Sequence, residues 1–183
     1  MKAISVKTTL AELGAIVCES LQKKNFDCFL SGGAVVSIYT HNKYESYDLD
    51  FVTLGDRKKI RNIMETLGFR SEKSRLFEHP KTKILVEFPG AALQIGGELI
   101  KTFNHVKTSC GVLKLLTPTD CVKDRLAAFY HWNDRQGLDQ AIWVACVQSV
   151  NLVNIRNWSR NEGHVEKYKI FLKLFRDAKE RAK

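Results

Sequence analysis

The stretch Thr117-Pro118-Thr119-Asp120 divides this chain into two kinds of sequence. A threonine able to cap a helix, a proline at the first helical position and an acid three residues past the cap form a strong helix-start signal. From Phe69 to Leu116, just before it, short extended pieces are separated by Pro80, Pro89, Gly90 and Gly96-Gly97. After it every segment has helical spacing, which predicts helices over 119–132, 135–149, 154–160 and from 165 onward. The expectation is an α+β (α/β) protein: a core over 1–117, with a mixed sheet flanked by helices, and a C-terminal helical bundle over 118–183 packed on that core. A chain of 183 residues buries enough surface to need neither a disulfide framework nor a structural metal.

The first part reads element by element. Leu10, Leu13, Ile16 or Val17, and Leu21 recur at helical spacing, so 8–24 forms a helix. The apolar run Cys28 to Leu30 then meets Ser31-Gly32-Gly33, and 34–39 resumes without a breaker. That pattern predicts strand, glycine turn, short helix. Residues 47–53 form a strand, and Asp56 caps a helix over 57–67 that buries Ile60, Ile63, Met64 and Leu67 and stops at Gly68. Extended pieces are expected over 75–78, 84–88, 102–108 and 112–116, joined in one mixed or antiparallel sheet.

Composition excludes several classes. The longest apolar stretch near a helix, 141–147, is far short of the roughly 20 residues that span a bilayer. Glu12 and Glu19 interrupt the N-terminal apolar segment, so the expectation is a cytoplasmic protein with no membrane partner. Five cysteines show no CxxC spacing and read as reduced core residues, and five histidines show no metal-ligand spacing. The net charge of 29 minus 20, or +9, favours a polyanionic partner such as RNA or a nucleotide phosphate. The basic C-terminal segment 167–183 adds to that, although Tyr168, Phe171, Leu172 and Phe175 also make it a packed amphipathic helix.

The carboxylates are the sharpest functional clue. Asp48 and Asp50 stand two apart in a strand and therefore share one face. Aspartate is depleted in strands, and two like charges on one face require a compensating cation, either Lys and Arg side chains or a metal. Glu87 repeats the pattern inside Ile84-Leu85-Val86-Glu87-Phe88. Carboxylates from two adjacent strands suit a hard cation such as Mg²⁺, which favours oxygen ligands and substrate phosphates. A solvated sheet face paired with basic residues explains the same acids. The glycine turn adds a second element, because Ser31-Gly32-Gly33 between strand and helix lets backbone N–H groups approach phosphate.

The order Gly32-Gly33, then Ser46-Tyr47-Asp48-Leu49-Asp50-Phe51, then Glu87 on a later strand resembles the DNA polymerase β-like nucleotidyltransferase superfamily. Val122-Lys123-Asp124-Arg125-Leu126-Ala127-Ala128 is similar to a Lys-Leu-x-Ala-type helix of its toxin and abortive-infection members. The resemblance implies Asp48, Asp50 and Glu87 as catalytic residues and ligands of two Mg²⁺ ions. It also implies Ser31, Gly32, Gly33, Ser37, Lys123 and Arg125 at a nucleoside triphosphate such as ATP. The implied activity moves a nucleoside monophosphate to a hydroxyl of RNA (tRNA included), protein or a small molecule; an antitoxin would be the implied partner of a toxin-type member. The alternative is an inactive module of the same fold that binds RNA or a protein. Asp134, in Trp132-Asn133-Asp134-Arg135, either caps the next helix or borders the cleft with Arg135.

Overall fold

The computed structural model describes residues 3–71, 75–90 and 93–181. Helix α1 (Leu10–Gln22) begins on a capping box in which the Thr9 hydroxyl accepts from the Glu12 N–H and the Glu12 carboxylate accepts from the Thr9 N–H. Strand β1 (Cys28–Ser31) runs directly into helix α2 (Gly32–Tyr39). Strand β2 (Asp48–Thr53) follows, then helix α3 (Arg57–Thr66), whose first turn is capped by Asp56 accepting from the Lys59 N–H.

Four short strands come next: β3 (Leu76–Phe77), β4 (Leu85–Glu87), β5 (Gln94–Ile95) and β6 (Glu98–Leu99). The long hairpin β7 (Phe103–Thr108) and β8 (Gly111–Leu116) closes the sheet part. Helices α4 (Pro118–Trp132), α5 (Arg135–Val147), α6 (Leu152–Asn161) and α7 (Val165–Arg181) complete the fold. The helix-start signal at Thr117 forms as expected, with its hydroxyl accepting from the Asp120 N–H and Pro118 in the first turn. The small β5–β6 hairpin turns at Gly96-Gly97, which the sequence pattern alone marks only as a separator between extended pieces. Strands of two residues carry no periodicity to read.

Six strands form one mixed sheet in the order β3-β4-β2-β1-β8-β7. β1 pairs antiparallel with β2 and parallel with β8, while β2 pairs parallel with β4. Registers Leu30↔Phe51, Leu49↔Val86 and Leu30↔Leu115 put these apolar residues on one face, against α1 and α2. The opposite face carries Phe29, Ser31, Val52 and Leu116 near the β5–β6 hairpin, and Asp48, Asp50 and Glu87 beyond it. One hydrophobic cluster joins Leu13, Leu30 and Phe51 to Leu126, Leu138, Trp158 and Phe171, so the sheet part and the helical part share a core. The Trp158 indole N–H donates to the Ile95 carbonyl at 3.1 Å, and the Gly97 N–H donates to Glu162 at 2.8 Å, fixing the hairpin to α6. Cys18, Cys28 and Cys121 are buried free thiols. Among the described residues no helix is long and apolar enough to cross a membrane.

Candidate active site

Strand register assembles the acids. The antiparallel pairing of β1 and β2 sets Ser31 opposite Asp50, and the parallel pairing of β2 and β4 sets Glu87 beside Asp50 and Leu85 beside Asp48. Residues paired in register share a face, so Asp48, Asp50 and Glu87 all project from the side away from α1 and α2. The glycine bend closes over them. Gly32 has φ +73, and a Cβ there would collide with Asp50 Oδ2. At its neighbour Gly33 the space is less tight, with a Cβ 3.1 Å from Tyr44 Cε1 and 3.4 Å from Ser46 Oγ. Ser31 donates through its hydroxyl to the Asp50 carbonyl at 3.3 Å, and the Ser46 hydroxyl donates to Asp48 Oδ1 at 2.6 Å. The bend therefore packs against the acids it precedes in sequence.

Electrostatics report the same grouping. Burial, then the charges of Asp48 and Glu87, push the Asp50 carboxyl up to about 6, while Arg125 pulls the other way and Asp124 adds to the rise. Burial works against the Arg125 charge, yet Asp124, Cys121 and Asp50 together hold its guanidinium above the ordinary arginine range. Arg125 Nε donates to Asp124 Oδ2 at 3.0 Å and Nη1 to Gln140 Oε1 at 3.4 Å, so its head is held in place. Asp124 is the site residue the sequence reading passed over, although it lay inside the quoted 122–128 segment. It lines a cavity of about 300 Å³ together with Ser31, Val52, Gly90 and Ile95. The signal in the sequence is an acid directly before the expected cation on a predicted helix.

No known family profile and no curated protein matches this chain. Solved structures do. An antigenic nucleotidyltransferase-like protein from Paracoccidioides brasiliensis superposes with a TM-score of 0.58 at 14% identity, over 90% of this chain and 93% of that one. The chain has the nucleotidyltransferase fold. Two other structures align with lower scores. The antibiotic-resistance factor ANT(2'')-Ia gives 0.48 at 14% identity over 94% of each chain, and a tRNA-processing enzyme gives 0.40 at 14% identity over 96% of this chain and 59% of its own.

Within this nucleotidyltransferase fold the remaining sequence-predicted residues fall into two groups. Arg125 lies in the field of Asp50. Ser37 and Lys123 are engaged in the scaffold. Ser37 is fully buried, donates to the Gly33 carbonyl at 3.4 Å and accepts from the Ser46 N–H at 2.9 Å, which ties α2 to the approach of β2. Lys123 is only 2% exposed, and its ammonium is paired with Glu98 at 2.9 Å and Asp120 at 3.5 Å. Asp134 caps α5 by accepting from the Gln136 N–H, the simpler of its two readings. Tyr39 is buried, donating to the Leu116 carbonyl at 2.6 Å, whereas Tyr47 is exposed and donates to Glu45.

Among the described residues no three His, Cys, Asp or Glu side chains are drawn tightly enough together to hold an ion. The donor set nevertheless fits Mg²⁺ in kind. Asp48, Asp50 and Glu87 offer only hard carboxylate oxygens from one sheet face. Burial first, and then the charges of Asp48 and Glu87, raise the Asp50 carboxyl, and a divalent cation would stabilise its charged form.

Proposed function

We propose that this chain is a nucleotidyltransferase that moves a nucleoside monophosphate from a nucleoside triphosphate to a hydroxyl of RNA, protein or a small molecule. The observation carrying this reading is the convergence of Asp48, Asp50 and Glu87 on one sheet face beside the Gly32-Gly33 bend. Asp48, Asp50 and Glu87 are the residues that would hold Mg²⁺; two ions are expected, and when bound they neutralise phosphate charge and acidify the acceptor hydroxyl. The chain's own groups do the rest. Backbone N–H groups at the start of α2 meet the β- and γ-phosphates, and the Ser31 hydroxyl joins them by turning its proton away from the Asp50 carbonyl. The Arg125 guanidinium, already fixed by Asp124 and Gln140, offsets charge that develops on the leaving group.

In the transfer step the acceptor oxygen bonds to the α-phosphorus as the bond from that phosphorus to the bridging β-oxygen breaks. The electron pair leaves with pyrophosphate, and a Glu87 carboxylate oxygen takes the acceptor proton. A second reading, a non-catalytic module of this fold that binds RNA or a protein, is favoured by one observation: the acids do not close into a tight ligand cluster.

Labelled nucleoside triphosphates with Mg²⁺, scored for pyrophosphate release and for label on RNA or protein, separate the two. Transfer by the wild type that falls by at least about a hundredfold in Asp48→Asn/Asp50→Asn supports catalysis. Equal signal from both proteins rejects it, and RNA binding with steep salt dependence in two inactive proteins favours the module.

A further inference from the structure

Strand β4 carries opposite chemistry on its two sides. Glu87 faces the carboxylate cleft, while Val86 and Phe88 point to the other face of the sheet. There Phe88 stacks on Phe51, centroids 6.0 Å apart, and meets Phe77 edge-on at 5.6 Å. Over Phe77 and Phe88 opens a cavity of about 570 Å³ between α3 and the edge strand β3. Its remaining lining is Ile60 and the cations Arg57, Lys58, Arg61 and Arg75.

Among the described residues no acid contributes to that lining. Among the described residues, none of the four cations is paired with a carboxylate. Two guanidiniums are instead held by backbone carbonyls on opposite walls. Arg61 Nη1 donates to the Ser71 carbonyl at 2.9 Å, and Arg75 Nη1 donates to the Pro89 carbonyl at 2.8 Å. Each of these anchors uses one of an arginine's five N–H groups. Like charges gathered around one concavity repel each other and concentrate anions there. Guanidinium groups match phosphate oxygens in geometry, and the volume lies within the ~300–1,000 Å³ of small-molecule sites.

We propose that this cavity binds a nucleoside phosphate, with the phosphoryl group between the α3 arginines and Arg75 and the apolar part over Phe77 and Phe88. The ligand is a free nucleotide or one nucleotide of an RNA strand; both present the same chemistry. The site lies on the sheet face away from Asp48, Asp50 and Glu87 and does not depend on the transfer reaction.

The test measures binding of AMP, adenosine and a 5′-phosphorylated oligoribonucleotide to the full chain in EDTA, which silences any metal-dependent binding in the carboxylate cleft. AMP or the oligonucleotide binds and adenosine does not. Arg57→Gln/Arg75→Gln weakens that binding roughly tenfold or more, as expected for lost charge-assisted hydrogen bonds. The control Lys81→Gln/Lys83→Gln, which removes two exposed charges outside the lining, leaves it within about twofold. Binding by AMP as well as RNA identifies the free nucleotide as sufficient, and binding by RNA alone identifies the strand. Should Arg75→Gln unfold the chain, Arg57→Gln/Lys58→Gln on exposed positions of α3 makes the same test. The inference is overturned if neither phosphate ligand binds in EDTA, or if the control pair weakens binding as much as the cavity pair. It is also overturned if Asp48→Asn/Asp50→Asn abolishes binding while the cavity variants do not, since that assigns the ligand to the cleft.

Discussion

Asp50 bears most of the electrostatic load of the cleft. Its carboxyl is raised from 3.8 to about 6, first by burial and then by Asp48 and Glu87. Between those values the folded chain binds more protons than the unfolded chain. By linkage its stability falls as pH rises from about 4 to about 6, and the penalty is complete above that window. Asp50→Asn, which cannot ionise, is therefore expected to melt a few degrees higher than wild type at pH 7 in EDTA, a gain on the order of 1–2 kcal/mol after solvent screening. The gain should vanish below pH 4; thermal denaturation across pH checks it, and equal melting at pH 7 would refute the penalty of ionising Asp50 in this setting. Gly32 shows the complementary constraint. With φ +73 and a Cβ position occupied by Asp50 Oδ2, Gly32→Ala should cost roughly 1–3 kcal/mol in denaturant unfolding and abolish transfer by displacing the acid.

At the scale of elements, α4 sorts three consecutive residues by where a helix sends its side chains. Lys123 turns into the interior between Glu98 and Asp120, while Asp124 and Arg125 reach the field of Asp50. Lys123→Ala leaves Asp120, 15% exposed, without its partner and opens a hole. Because Glu98 is 43% exposed, the loss is discounted to about 2–3 kcal/mol, with Lys123→Met milder for keeping the packing. Transfer per folded molecule should persist in both, unlike in Asp48→Asn; unfolding curves beside activity normalised to folded protein make that comparison. Helices were the legible elements. The stripe of Ile60, Ile63 and Met64, the Asp56 and Thr117 caps and the Pro118 start form as expected, while Leu67, expected in that stripe, is the half-buried C-cap; a helix is stabilised by residues three and four apart. The β5–β6 hairpin was not legible, since its stability comes from Trp158 and Glu162, more than sixty residues away.

Across the whole molecule, the two faces of one sheet carry opposite charge: acids on one side of β4, and a cavity lined by Arg57, Lys58, Arg61 and Arg75 on the other. The net charge of +9 hinted at an anionic partner but could not say where the positive charge gathers. Local order already carried the helices, the strands other than β5 and β6, the break at Thr117, and the common face of Asp48 and Asp50, since each depends on neighbours within a few positions. The placement of Glu87 beside Asp50, the approach of Asp124 and Arg125, the inward turn of Lys123 and the cation-lined hollow beneath β3 came from long-range packing. Strand register and helix docking join positions far apart along the chain, and those pairings follow from burying one shared core rather than from any short stretch of residues.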